Sequence, residues 1–174
     1  MSSTPTPPQP TPPLDPVQLE NLKQELRAQQ NLPFGFLGGV AGMVLGAVLW
    51  AVLTALLCRQ IGYMAIGVGF LAGLGVRLLG RGLSPAFGIV GAALSLSGVL
   101  AGNIIAAALL ASRELGVPLG DVLSILDLEL IVEIVKESFA GPIDLLFYAL
   151  ALYFGYRFSF RQITAKDLER AAGM

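Results

Sequence analysis

The chain has no histidine and a single cysteine among its 174 residues. Without histidine, a Ser–His nucleophile pair cannot form. A structural zinc site wants about four Cys or His ligands, so zinc is excluded, and one cysteine cannot make a disulfide within the chain. Cys58, at the end of an apolar run beside Arg59, reads as a small apolar residue rather than a reactive thiol. No G-x-x-x-x-G-K-[ST] loop is present to cradle phosphates. Charge is scarce as well: 13% of residues are charged, against about 25% in soluble domains. The net charge of −1 argues against nucleic acid as a partner, because that calls for a basic patch. No apolar core follows Met1, so the start does not read as a cleaved signal peptide. These absences lead us to expect a protein that is not an enzyme and that holds no metal or cofactor.

What the chain does have is apolar mass. Hydrophobic residues make up 55% of it, with a mean hydropathy of +0.73. That leaves too little polar surface for a soluble globule and puts the chain in the membrane class. Residues 1–16 carry seven prolines and read as an extended, disordered tether. A short amphipathic helix follows within 17–33, capped by Asp15 and Gln18, with Pro16 at its first position and Leu19, Leu22 and Leu26 on one face.

The membrane domain is expected over 34–160. Residues 34–58 run for 25 residues without a charge, long enough for a hydrocarbon core about 30 Å thick. Arg59-Gln60 leads straight into a second apolar segment, 61–79, so the two form an antiparallel hairpin. Ser84 and Pro85 open the third segment, whose 28 residues, 85–112, carry no charge. Segment 119–138 differs, because Asp121, Asp127, Glu129, Glu133 and Glu137 interrupt its apolar residues. Each buried acid costs about 2.5–3.5 kcal/mol at a helix centre, against about 0.3–0.6 gained per Leu or Ile. It is therefore expected to lie at the interface as an amphipathic helix. Gly141-Pro142 breaks the chain before a last apolar segment, 142–158, rich in interfacial tyrosine. A tail, 161–174, completes the chain.

Charge asymmetry sets the expected topology. With four spans, eight of the eleven cations (Lys23, Arg27, Arg77, Arg81, Arg157, Arg161, Lys166 and Arg170) fall on one side. Seven acids, from Glu114 to Asp144, fall on the other. The positive-inside rule then puts both termini in the cytoplasm. Were the last segment not to span, its four cations would move across and the bias would vanish.

Sixteen of the 21 glycines lie between positions 35 and 112. Gly38, Gly42 and Gly46 form a ladder in the first span, and Gly69 and Gly73 another in the second. In the third, Gly88, Gly91, Ser95, Gly98 and Gly102 climb by threes and fours. Lipid tails are as apolar as leucine, so small residues that let backbones approach are what hold such helices together. Three striped spans exceed the evident need of one monomer, and a homo-oligomer is expected. Among polar groups, Asn103 suggests an interhelical hydrogen bond or a solute contact, and Arg77 a snorkelling or lipid-binding cation. Glu129, Glu133 and Glu137, spaced by four, read as the wet face of the amphipathic helix or as an acidic mouth.

Two stretches, GYMAIGVGFLAGLGVRLLGRGLSPAFGIVGAALSLSGVLAGN (62–103) and PIDLLFYALALYFGYRFSFR (142–161), cover about a third of the chain. They resemble small glycine-rich, multi-pass bacterial membrane proteins of unassigned function. The resemblance implies an inner-membrane location and about four spans, and brings no activity or site residues. The expected fold is thus an all-α membrane bundle. Its expected role is an oligomeric scaffold or anchor whose N-terminal tether meets a cytoplasmic protein partner. The alternative is a small channel or transporter built from the striped hairpins.

Overall fold

The computed structural model describes residues 15–57, 62–139, 141–163 and 167–168. The proline-rich tether up to residue 14, Cys58, Arg59, Lys166 and Arg170 lie outside the described residues. The described chain is helical without strands: α1 (Pro16–Ala28), α2 (Leu32–Leu57), α3 (Met64–Gly80), α4 (Pro85–Leu115), α5 (Leu119–Ser124), α6 (Leu128–Ser138) and α7 (Pro142–Phe158). It forms two units, 1–29 with 162–174, and 30–161.

In the smaller unit, α1 starts as its sequence suggests. Pro16 takes the first helical position, and the Asp15 N–H donates to Gln18 Oε1 at 3.2 Å, using a backbone donor that the helix leaves free. Leu22 and Leu26 are its buried residues.

The larger unit is a bundle of α2, α3, α4 and α7. Two of these, α2 and α4, are long and apolar enough to cross a membrane. Asn31 caps α2 by accepting from the Phe34 N–H at 3.1 Å. The second helix starts at Met64, three residues later than the apolar run, and α4 runs on to Leu115, past Arg113 and Glu114. Ser84 has the extended backbone of an N-cap. Its N–H is held by Gln30 Oε1, 3.3 Å away.

Helix direction follows from which residues meet. A Cβ on Gly35 would stand 3.1 Å from the Gly80 Cα, and one on Gly46 3.0 Å from the Val68 Cα, so α2 and α3 run antiparallel. Between these points Gly38 and Gly75 lie backbone to backbone, and Gly42 lies on the Leu71 carbonyl. Along α4, Phe87 meets Gly35, Gly98 meets Met43 and Gly102 meets Trp50, so α4 runs parallel to α2. Along α7, Tyr156 meets Gly88 and Ser95 Oγ donates to the Ala151 carbonyl at 2.8 Å, so α7 runs antiparallel to α4. The middle is closed by Ala65, Ala72, Val76, Val99 and Ala151, all fully buried.

At one end, Asn31 N–H donates to the Gly80 carbonyl and Arg161 N–H to the Gly82 carbonyl, at 3.0 and 2.8 Å. Phe87, buried, fills the seat left by Gly35, Gly80 and Gly82. The opposite end carries the acids. There the amphipathic stretch is two helices. Asp127 has an extended backbone and accepts from the Leu130 N–H at 2.8 Å, so it caps α6 and breaks the chain from α5. No residue of α6 is buried, although Leu128, Leu130 and Val132 are exposed apolar groups. Its axis is bent by 96° from that of α7.

Candidate functional site

A cavity of about 370 Å³ opens at the acidic end, where α2 finishes and α7 begins. Local sequence places its walls. Gly141-Pro142 turns the chain from α6 into α7, with Pro142 at the first position of α7. That turn sets Glu137 and Ser138 beside Asp144, Phe147 and Tyr148 around one space, with Trp50 from α2 and Asn103 from α4 completing it.

Asn103 and Tyr148 are 3% and 6% exposed. The Asn103 amide donates to Tyr148 Oη at 2.6 Å and to Ser138 Oγ at 3.2 Å, and Ser138 Oγ donates to the Ile134 carbonyl at 2.8 Å. This network ties α4 to both α6 and α7 with satisfied polar groups, which a water-poor bundle requires. The Phe139 ring meets Tyr148 edge-on, with centroids 4.8 Å apart. Trp50 is 2% exposed, and among the described residues neither its indole N–H nor the Thr54 hydroxyl one turn on has a partner. An unmade hydrogen bond of this kind costs about 1–3 kcal/mol.

The polar residues singled out from sequence separate here. Asn103 and Glu137 line the cavity, while Glu129 and Glu133 sit with Lys136 along a shallow surface groove of α6. Arg77, half-buried, lies in the last turn of α3 at the opposite end. The small residues all face neighbours in the same chain. Gly38, Gly42 and Gly46 meet α3, and Gly69 and Gly73 meet α7. The α4 stripe divides: Gly88, Gly91 and Ser95 meet α7, whereas Gly98 meets both α3 and α2, and Gly102 meets α2.

Sequence reasoning missed a fourth stripe, Ala151 and Gly155 in α7 and Ser159 at its C-cap, all buried. A Cβ on Gly155 would stand 2.6 Å from the Ser95 Cβ and 2.7 Å from the Gly91 carbonyl. Its spacing of four was legible, but it is interleaved with Tyr153, Phe154 and Tyr156 and drew no notice. In the sequence Asp144 is one of the seven acids from Glu114 to Asp144, Tyr148 is one of the interfacial tyrosines of the last segment, and Trp50 stands unmarked within the first apolar run. The spacing of four puts Asp144 and Tyr148 on one face of α7, but nothing local brings Trp50 of α2 to them. No family model, no curated protein and no solved structure matches the chain.

Proposed function

We propose that the chain is a non-enzymatic scaffold or anchor that crosses the bacterial inner membrane four times, with both termini in the cytoplasm. The observation that carries this reading is the closed interior. Glycines bring α2 and α3, and α3, α4 and α7, into close contact, and Ala65, Ala72, Val76, Val99 and Ala151 between them are fully buried. Four crossings are supported by helix direction. Since α2 and α4 run parallel, a chain that crosses in both must return through α3. Seventeen residues in α3 span about 26 Å at 1.5 Å per residue, near the lower limit for a crossing helix. Cytoplasmic termini follow from the cations Arg77, Arg81, Arg157 and Arg161 at the end of the bundle opposite the acids.

Lipid suits the exposed apolar belt of α2, which includes Phe34, Leu37, Leu45, Leu49 and Leu56. A homo-oligomer would have to use exposed apolar faces such as this belt or that of Leu145 and Leu146 on α7, because the small-residue stripes meet neighbours within one chain. The tether remains the candidate contact for a cytoplasmic protein.

A second reading, a small channel or transporter, is favoured by the polar cavity alone. Liposome flux separates the two. The scaffold reading expects ion and solute leakage no greater than in protein-free vesicles. Flux that is abolished by Gly98→Leu, with the variant still folded, overturns it.

A further inference from the structure

The end of the bundle opposite the acids gathers positive charge along one seam. There α3 and α7 run side by side in the same direction, since Gly69 meets the Ala151 carbonyl and Gly73 that of Gly155. One turn further on, Arg77 in the last turn of α3 comes level with Ser159, the C-cap of α7. Arg157 and Arg161 stand just before and just after Ser159. The Arg161 N–H donates to the Gly82 carbonyl at 2.8 Å, which brings the end of α7 to the residue next to Arg81. Arg77, Arg81 and Arg157 form no ion pair among the described residues. The acids of the unit 30–161 all fall from Glu114 to Asp144, so the bundle itself supplies no countercharge here.

Two further observations separate this seam from a plain topological signal. Helix dipoles account for a cation in the last turn of each helix, and so for Arg77 and Arg157, but not for Arg81. That residue follows α3 with a φ of 49°, a conformation that an L side chain holds at a cost and glycine takes freely. A strained residue kept in place of glycine points to a use for its guanidinium. Next to the arginines, moreover, the seam is aromatic and faces outward. The Phe70 ring meets Phe158 edge-on at 4.8 Å, Phe158 stacks on Phe154 at 5.6 Å, and Phe70 and Leu78 are exposed. Guanidinium groups only donate and phosphate oxygens accept, often in bidentate pairs. Arginines at the bundle end, continuous with an apolar seam, suit a phosphate that carries acyl chains.

We propose that the α3–α7 seam binds an anionic phospholipid, its phosphate held by Arg77, Arg81 and Arg157 and an acyl chain laid along Phe70, Phe154 and Phe158. The inference rests on the bundle crossing a membrane. It holds whichever way round the bundle is inserted and whatever its role.

The full chain, purified in a nonionic detergent, is titrated with phosphatidylglycerol or with phosphatidylcholine of the same acyl chains, and bound lipid is counted by native mass spectrometry. The parent should take up phosphatidylglycerol saturably and about tenfold more tightly than phosphatidylcholine. Arg77→Gln and Arg157→Gln should each weaken the first binding step about fivefold, the worth of one cation at an anionic headgroup. Lys136→Gln, at the acidic end, should leave that step unchanged. Arg81→Gly is the sharpest variant: it should raise thermal stability in lipid-free detergent and still weaken phosphatidylglycerol binding, a combination that a purely structural residue does not give. The proposal is overturned if phosphatidylcholine binds as tightly, if Lys136→Gln weakens binding as much as Arg77→Gln, or if none of the three arginine variants weakens it. Displacement of the lipid by inorganic phosphate, at constant ionic strength, also overturns it, because the site would then take a soluble anion. Arg81 and Arg157 are exposed, so their variants carry the test should Arg77→Gln fail to fold. Incorporation of the parent into phosphatidylcholine nanodiscs reports insertion in a bilayer separately from lipid preference.

Discussion

Arg81 is the only non-glycine residue with a positive φ, 49°, among the described residues. It closes α3 in the left-handed conformation, where an L side chain crowds the following carbonyl at a cost of about 1–2 kcal/mol. Glycine is the usual residue there. Arg81 is exposed, so Arg81→Gly should raise the stability of the detergent-solubilised protein by about 1 kcal/mol, offset in part by the entropy of the unfolded chain. Denaturant titration gives the sign, and a loss of stability would mean that the guanidinium makes a contact worth more than the strain. Buried polar pairs are the other effect at this scale. In a double-mutant cycle, Asn103→Ala with Tyr148→Phe should give a coupling energy of about 0.6 kcal/mol, with about 1.7 as the ceiling for such pairs in membranes. A coupling of zero would show that the two side chains do not share a hydrogen bond.

Glycines with the same sequence signature differ in what surrounds them once helices pack. A Cβ on Gly42 would strike the Leu71 carbonyl and stand 2.7 Å from its carbon, and backbone atoms cannot swing aside; around Gly67 there is open space. Gly42→Ala should therefore force α2 and α3 apart, at a cost of about 1–3 kcal/mol as in other overpacked interiors. Gly67→Ala should be neutral or stabilising, by up to about 1 kcal/mol from helix propensity. Thermal unfolding of the two variants in one detergent tests the contrast, and equal losses would refute the packing order. Much at this level was legible in the sequence. Charge-free runs mark α2 and all but the last turn of α4 because a buried charge is so costly in lipid, and Gly141-Pro142 marks the start of α7 because proline cannot continue a helix. The split of α5 from α6 was not visible, since Asp127 looks like one more acid in an alternating stretch until its carboxylate is seen on the Leu130 N–H. Nor could spacing alone say that the α4 stripe serves α7 with its first half and α2 and α3 with its second. That division depends on where three helices cross.

For the molecule as a whole, the parallel course of α2 and α4 makes a demand that hydropathy alone does not. Both helices are apolar enough to span, and both begin at the end of the bundle where Gly35, Gly80 and Phe87 meet. Only six residues, 58–63, join α2 to α3, and only four, 81–84, join α3 to α4. Neither connection is long enough to cross a hydrocarbon core about 30 Å thick at no more than about 3.6 Å per residue. The return must then be made by α3 itself, with Arg77 in its last turn reaching toward the headgroups. Single cysteines in a Cys58→Ser background test this. Arg81→Cys lies on the exposed connection between α3 and α4, and Gly120→Cys lies at the acidic end, with open space around its Cβ. A membrane-impermeant maleimide added to intact spheroplasts should label Gly120→Cys and reach Arg81→Cys only after permeabilisation. The opposite pattern would keep the crossing and reverse the orientation inferred from the cations. Labelling of both sites from one side would mean that α3 does not cross; α2 and α4 could not then both span while running parallel, and the four-span reading would fail.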